Sequence, residues 1–157
     1  MPTYYNTSPP GTRAVLQLST GTTAIASTTT GYQVAALQNI TVNNNVGIFN
    51  WTQLDSFSQY SLPTPATNSI AANLVLDSST YFVSTVGTSG VPGINALSNN
   101  ATLVQFRVYF DGVRTGSRYV AGQGYITALA PTVNPTAPVW VTPVTIAVDG
   151  DLTAGAV

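Results

Sequence analysis

The sequence predicts a mainly β domain, a sandwich or barrel with at most one short flanking helix. Its 157 residues contain no Lys, no Glu and one Met, whereas Thr, Val, Asn and Gly are abundant, and this balance favours strands and turns over helices. Apolar and polar residues alternate in several runs, and segments rich in Asn, Gly or Pro separate these runs. About six to eight strands in a chain of this length are typical of one sandwich or barrel. We therefore assign residues 1–157 to a single domain.

Charged side chains make up 6% of the residues, against about a quarter in an ordinary soluble domain. The chain has four basic and five acidic residues, no His, no Cys and a net charge of −1. This balance gives no long-range field that would attract nucleic acid or an anionic membrane, and it excludes a disulfide framework. Two interpretations stay open: a soluble protein that is merely poor in charge, or a protein that packs closely against copies of itself.

Neither a membrane helix nor a secretion signal is expected. No run approaches the roughly 18–20 apolar residues that a membrane helix needs. The first ten residues lack the basic and apolar regions of a signal peptide. We therefore expect no membrane partner.

The first part of the chain predicts an extended arm followed by three strands. Residues 1–11 carry three prolines and two tyrosines without periodicity, and we interpret them as an extended N-terminal arm. Alternation predicts strands at residues 13–18, 32–42 and 46–54. A loop rich in Thr, Ser and Gly separates the first two of these strands.

The third of these strands carries apolar side chains on both faces. Phe49 and Trp51 share one face, and Ile48 and Leu54 share the other. Strands that are apolar on both sides are usually buried on both sides. We therefore expect both faces of residues 46–54 to be covered.

Residues 55–68 form a long stretch without a regular pattern, and we expect a loop there. A loop of this length in a compact domain is usually functional or disordered. Disordered loops tend to lack aromatic residues, whereas this stretch contains two, so we predict a docking loop and keep a mobile loop as the alternative. The residues expected to make the contact are Phe57, Tyr60, Leu62, Pro63 and Pro65.

The second half of the chain predicts four strands and the one candidate helix. Alternating or continuous apolar runs place the strands at residues 70–77, 103–110, 123–129 and 139–148. Asp111-Gly112 follows the second of these strands and is a hairpin-type turn signal. A helix is plausible within residues 78–100, over 80–86 or 92–97, because the Gly and Pro residues between would break a longer one. Residues 151–157 are expected to be a tail of small residues.

The sequence predicts no catalytic residue, no cofactor and no metal site. Acid–base catalysis usually draws on His, Glu, Lys or Cys, and the chain has none of them. Asp149 and Asp151 are the closest carboxylate pair, but a Ca²⁺ loop needs several more oxygen ligands, so we interpret them as the turn that ends the last strand. The Gly-rich residues 87–93 lack the spacing and the Lys of a phosphate-binding loop.

Three arginines and an aspartate cluster around the turn at residues 111–112. Four arginines and no lysine in the whole chain make a poor nucleic-acid footprint. We expect salt bridges between Arg and Asp side chains instead, within one subunit or between subunits. The residues concerned are Arg107, Asp111, Arg114 and Arg118.

The last third of the chain has a distinctive order of strands and turns. FRVYFDG gives a strand and a turn, GQGYITALAPT gives a Gly-aromatic strand that ends in a small-residue turn, and VTPVTIAVDG gives a final alternating strand that ends in Gly. This order resembles the C-terminal part of the major tail tube protein of long-tailed, λ-like bacteriophages. The front half fits, with a first strand, a strand pair around residues 38–54 and then a long loop. Residues 78–100 depart from the family, which usually has a clear helix there.

The resemblance implies a structural virion protein rather than an enzyme. Its copies would form hexameric rings that stack into a tail tube, with the sheets of neighbouring subunits joined edge to edge around a lumen. A tape-measure protein would occupy the lumen before DNA passes through it during ejection, and tail terminator and tip proteins would be further partners. The protein would be located in the phage tail, after assembly in the host bacterial cytoplasm. In that family the long loop reaches the neighbouring ring, a role that falls on residues 55–68 here.

Two other interpretations stay open. One is another phage structural β-protein, such as a capsid decoration protein or a tail terminator. The other is a carbohydrate-binding β-sandwich in which Trp51 and Trp140 serve as sugar platforms, although core packing is the commoner use of such residues. A tube protein should polymerise without a fixed size, whereas a decoration protein or a sugar binder should stay discrete.

Overall fold

The computed structural model describes residues 14–21, 25, 31–34, 37–55 and 57–157. The predicted N-terminal arm, residues 1–11, lies outside the described residues. In the described part the chain forms ten strands and one helix. In chain order these are β1 (Val15–Thr20), β2 (Tyr32–Gln33), β3 (Leu37–Asn43), β4 (Val46–Thr52), β5 (Gln59–Ala66), β6 (Ser69–Val75), α1 (Ile94–Asn99), β7 (Val104–Tyr109), β8 (Arg118–Leu129), β9 (Val141–Val148) and β10 (Thr153–Ala156).

Eight of the strands form one antiparallel sheet in the order β2-β1-β7-β8-β9-β6-β3, with β10 paired to the first part of β8. The 12-residue strand β8 is long enough to serve three neighbours. Its first half lies between β7 and β10, and its second half pairs with β9. The remaining strands, β4 and β5, form a separate two-stranded sheet. The predicted mainly β class is confirmed.

The large sheet curls around one hydrophobic core. Strands β1 and β6 are separated by three strands in the sheet order, yet their apolar residues belong to the same core cluster as those of α1. A flat sheet could not bring them together, so the sheet closes in a barrel-like way. The core side chains come from alternate positions of each strand, as the period of two requires. They include Leu16, Leu18, Ile70, Leu74, Phe106, Val108, Ile126 and Ile146, together with Ile94 and Leu97 of α1.

Helix α1 corresponds to the second of the two predicted positions, residues 92–97, and begins two residues later. No side chain caps its N-terminus. The first free N–H groups donate instead to loop carbonyls, from Ile94 to Thr80 at 3.0 Å and from Asn95 to Tyr81 at 3.2 Å. The fold therefore supplies the cap that the sequence lacks.

The loop that caps α1 is itself held by Asp77. Its carboxylate accepts the backbone N–H and the hydroxyl of both Ser79 and Thr80. Partial burial alone would raise the pKa of Asp77, but these hydrogen bonds outweigh that effect and hold the pKa below its usual value. This turn fixes the start of the segment that carries the buried Tyr81 into the core.

Several predicted boundaries are wrong. The predicted strand 32–42 is interrupted, and β2 and β3 lie at opposite ends of the sheet order. The predicted tail 151–157 contains β10, which pairs with β8 from Thr153 opposite Ala121 to Ala156 opposite Arg118. A strand of small residues such as Ala and Gly shows no alternation of apolar and polar side chains. It can still pair, because backbone groups make the hydrogen bonds between strands.

Candidate functional site

The candidate functional site is the hairpin, residues 46–66, formed by β4 and β5. Among the described strands, these two pair with each other and with no third strand. The hairpin emerges from the end of the β3–β6 pair, where Asn43 lies opposite Ser69. Its root is closed by a hydrogen bond from the N–H of Thr67 to the carbonyl of Asn45, at 2.8 Å. Two-stranded hairpins are marginally stable in water on their own. Packing against another surface would therefore stabilise this hairpin.

One side of the hairpin is an apolar surface, which we call the aromatic face: Phe49, Trp51, Tyr60 and Leu62. Opposite residues of an antiparallel pair project to the same side, and here Phe49 pairs with Leu62 and Trp51 with Tyr60. The rings are stacked, with centroids 6.0 Å apart for Phe49 and Trp51 and 5.6 Å apart for Trp51 and Tyr60. The four side chains are 37–59% exposed, so this is a contiguous apolar patch open to solvent.

The other side of the hairpin is partly polar. Asn50 lies opposite Ser61, whose hydroxyl donates to the amide oxygen of Asn50 at 2.7 Å, and Thr52 lies opposite Gln59. The turn at the far end carries Leu54 and Phe57, both fully exposed. The hairpin is thus a two-sided ribbon with an apolar side and an apolar tip.

Local sequence explains why the hairpin stays two-stranded. Pro63 and Pro65 have no N–H to donate, so a third strand would find an incomplete edge on β5. The pairing also shifts register between Val46 and Ile48. Gly47 lies at that shift, and a Cβ there would meet the side-chain hydroxyl of Thr64, which would have to move.

The structure corrects the prediction of a long loop over residues 55–68. Most of this stretch is β5, and the turn between the strands is short. The two prolines misled the interpretation, because they are tolerated in an edge strand. All five residues predicted to dock are exposed, and the structure places Tyr60 and Leu62 on the aromatic face, Phe57 at the tip, and Pro63 and Pro65 along β5. Their docking role stays a prediction.

The prediction that both faces of residues 46–54 are covered is wrong in this chain. Ile48, Phe49, Trp51 and Leu54 are all exposed. Sequence analysis therefore missed Phe49 and Trp51 as members of the site, although the signal was present. A strand that is apolar on both sides needs cover, and the cover need not come from the same chain.

The predicted arginine cluster is dispersed. Arg114 and Asp111 form an ion pair within the chain, between partly exposed side chains. The guanidinium of Arg107 lies 4.4 Å from the ring centroid of Tyr119, on the side of the sheet away from the core, and its Nε is buried without a hydrogen-bond partner among the described residues. Arg118 is exposed at the start of β8, opposite Ala156. Salt bridges between subunits stay a prediction.

The described residues offer few side-chain groups for catalysis or metal binding. No group of three or more metal-ligating side chains occurs in the part of the chain that the structure describes. Asp149 and Asp151 line a shallow cleft of about 280 Å³, where Asp149 accepts a 3.4 Å hydrogen bond from the amide of Gln123. Helix α1, the only helix among the described residues, has six residues, far too few to cross a membrane.

Comparison with known proteins shows that the chain shares its fold with chains of tail-tube structures. No family model matches the chain, and no curated protein matches it significantly in sequence. Among solved structures, a chain of the SPP1 tail tube matches with a TM-score of 0.65 and 11% identity, over 94% of this chain and 78% of that one. A chain of the tail of an empty gene transfer agent particle, determined with C6 symmetry, matches with a TM-score of 0.60 and 14% identity, over 90% and 95%.

A third match extends the comparison to a tube end. A chain of the anti-feeding prophage cap, which terminates a tube, matches with a TM-score of 0.54 and 14% identity, over 100% of this chain and 95% of that one. At 11–14% identity these likenesses define the fold and not the role. The chain therefore has the fold of the tail-tube chains that it matches, and in this chain that fold is a curled antiparallel sheet with one short helix and an exposed hairpin.

Proposed function

We propose that this chain is a structural subunit of a phage tail tube. Copies join side by side into hexameric rings, and the rings stack through the hairpin. The observation that carries the proposal is the combination of the tail-tube fold with a hairpin whose aromatic face is exposed in the single chain. Burying a large apolar side chain contributes about 1.5–3 kcal/mol, so four such residues can drive stacking in a protein that has few charges.

The sheet edges complement the hairpin in this proposal. Strands β2, β3 and β10 leave one side of their backbone unpaired by any described strand. Exposed edges are usually protected by charged residues, Lys above all, and this chain has no Lys. Edges that pair with the next subunit of a ring need no such protection.

The finished tube would be a conduit for DNA in the phage tail. A tape-measure protein would fill the lumen first, terminator and tip proteins would close the ends, and assembly would take place in the host cytoplasm. With four basic residues per chain, a lumen would make few phosphate contacts, so DNA would pass without sequence preference and without being held. The subunit needs no catalytic residue for this work.

The test is electron microscopy of the purified protein beside a hairpin deletion. We expect the wild type, concentrated and aged, to form long hollow tubes of uniform diameter. Removal of residues 46–66 leaves Asn44, Asn45, Thr67 and Asn68 as a four-residue turn between β3 and β6, a normal length for a hairpin. This variant should keep the β-sheet circular dichroism of the wild type and form no tubes.

Two results would contradict the proposal. A wild type that stays a small closed oligomer at high concentration would point to a capsid decoration protein. A deletion variant that loses its β-sheet signal would show that the hairpin belongs to the folding unit and is no separate docking element.

A tube-terminating cap is the second candidate, because the cap of the anti-feeding prophage shares the fold over the whole chain. A cap should bind the end of a preformed tube and stop its growth. A tube subunit should extend such an end. Time-resolved microscopy with short tube seeds separates the two roles.

A further inference from the structure

A second exposed apolar surface lies at the connection between β8 and β9. This connection, residues 131–140, is called here the proline turn. Val133, Val139 and Trp140 are 47–60% exposed, and the segment carries no charged residue. Pro135, Pro138 and Trp140 line a groove of about 400 Å³, together with Val75 and Leu76 at the end of β6.

The proline turn has a defined shape. The carbonyl of Asn134 accepts the N–H of Ala137 at 3.0 Å, and its side-chain oxygen accepts the N–H and the hydroxyl of Thr136 at 3.0 and 2.8 Å. The base of the turn is tied to its neighbours, since Thr132 donates to Val141 and Leu76 donates to Trp140, both at 2.9 Å. A preformed surface loses little conformational entropy when a partner binds.

The proline turn and the hairpin lie at opposite ends of the same strand. Ser69, at the start of β6, adjoins the hairpin root, whereas Val75, at its end, pairs with Val141 directly after the turn. Seven steps of about 3.3 Å separate Ser69 from Leu76, or roughly 23 Å. A subunit with two complementary surfaces at opposite ends can add to the next copy in a head-to-tail manner.

The two surfaces also match in chemistry. Stacked aromatic rings are a recurring platform for proline residues. The prolines of the turn have no N–H, so its backbone is richer in acceptors, whereas Trp51 and Tyr60 each bring one donor to the aromatic face. Neither surface carries a charge, so neither has to be neutralised on contact.

We propose that the proline turn of one copy docks on the aromatic face of the next copy's hairpin. This inference rests on the proposed tube function and names the receiving surface for the hairpin. A second copy is the occupant because every copy presents both surfaces and both are neutral and apolar. A symmetric contact between two hairpins would cover the aromatic faces but leave every Trp140 groove open and end growth at a pair.

The absence of native Cys allows a cross-linking test. The double variant Leu62→Cys with Val139→Cys places one thiol on each surface, and a short bis-maleimide is added to the assembled protein. We expect a ladder of covalent multimers on a denaturing gel. The matched control combines Leu62→Cys with Tyr125→Cys. Tyr125 is also exposed, 39% against 48% for Val139, but it lies opposite Ala147, at the end of the sheet away from the proline turn. The control should stay monomeric.

Each outcome bears on the docking assignment. Absence of a ladder from the double variant overturns it, and if that protein still forms tubes, the proposed function stands without it. A covalent dimer from Leu62→Cys alone also overturns it, because that product needs two hairpins face to face.

A second variant tests the groove without a cross-linker. Trp140→Ser should raise the protein concentration needed for assembly by about tenfold or more, as expected for a central aromatic contact. Its circular dichroism should not change. An unchanged assembly threshold would contradict the assignment of the groove.

Discussion

The curled sheet and the hairpin are built from the same kind of strand but treat their apolar residues in opposite ways. In the sheet, Phe106 and Val108 alternate with polar neighbours and are fully buried under α1 and the facing strands. In the hairpin, Phe49 and Trp51 also occupy alternate positions of a strand, but they stay exposed. Alternation therefore indicates which side of a strand is apolar, and the number of neighbouring elements decides whether that side is covered.

The difference assigns separate tasks to the two regions. The sheet contains the core, and the apolar side chains of this core are buried within the single chain. The hairpin carries no part of the core cluster, so its aromatic face adds little to the stability of the single chain. A large apolar patch that a monomer leaves uncovered marks an interaction surface. Variants in the two regions should consequently separate folding from assembly.

The largest expected contrast is between Phe106→Ala and Phe49→Ala, which remove the same atoms. Phe106 is buried, and its removal should lower the free energy of unfolding by about 3–5 kcal/mol. Phe49 is 59% exposed, and its removal should change that free energy by less than about 0.5 kcal/mol. Denaturant titration of both variants at a concentration that prevents assembly measures the two values.

The order of the two effects should be reversed for assembly, so that Phe49→Ala weakens assembly more than Phe106→Ala does. Phe49→Ala should raise the concentration at which polymer forms, while folded Phe106→Ala subunits should retain their docking surface. A loss of more than about 2 kcal/mol in Phe49→Ala would show that the hairpin folds as part of the sheet, and the comparison would fail.

The sheet was largely predictable from the sequence because burial on one side produces alternation. Five of the predicted strands, those at residues 13–18, 70–77, 103–110, 123–129 and 139–148, overlap strands of the sheet, although β8 begins five residues before its predicted start. The predicted strand at 46–54 overlaps β4 of the hairpin. Asp111-Gly112 does lie in the connection between two antiparallel neighbours, β7 and β8, but this connection spans residues 110–117 and is longer than a tight hairpin turn. What could not be predicted was the strand order and the role of β10, because pairing of Ala and Gly leaves no trace in hydrophobicity.

The candidate site was only half predictable. Its aromatics and prolines were noticed, but Pro63 and Pro65 concealed β5, and the apolar faces of β4 were assigned to the interior. The reason is physical: a sequence records that a side chain is apolar and not whether its cover belongs to the same molecule. An interface between copies and a core therefore produce the same pattern.

A smaller effect is expected at the end of α1, where the sheet region can be strengthened without touching the hairpin. Ala101 has a φ of +47°, in the left-handed region that favours glycine. The N–H of Thr102 donates to Leu97 and that of Ala101 to Ser98, the hydrogen bonds of a Schellman end, which usually has Gly at this position.

Ala101→Gly should raise the free energy of unfolding by about 1 kcal/mol, since relief of the Cβ contact outweighs the added freedom of the unfolded chain. The melting temperature should rise by about 2–4 °C, as scanning calorimetry would measure. The assembly threshold should stay the same. A lower melting temperature would contradict the left-handed conformation at this residue.

The smallest effect is expected from salt, and it tests whether the hairpin or the charged residues hold the copies together. The hairpin carries Asp55 near its tip as its one charged residue, and the Arg114–Asp111 ion pair is already satisfied within the chain. Raising NaCl from about 0.1 M to about 1 M shortens the screening length from about 10 Å to about 3 Å. The threshold for assembly, measured by sedimentation, should change by less than about twofold, because burial of apolar surface needs no unscreened field. A large loss of polymer at high salt would instead place the main contact at Arg107, Arg114 or Arg118 and reduce the hairpin to a secondary role.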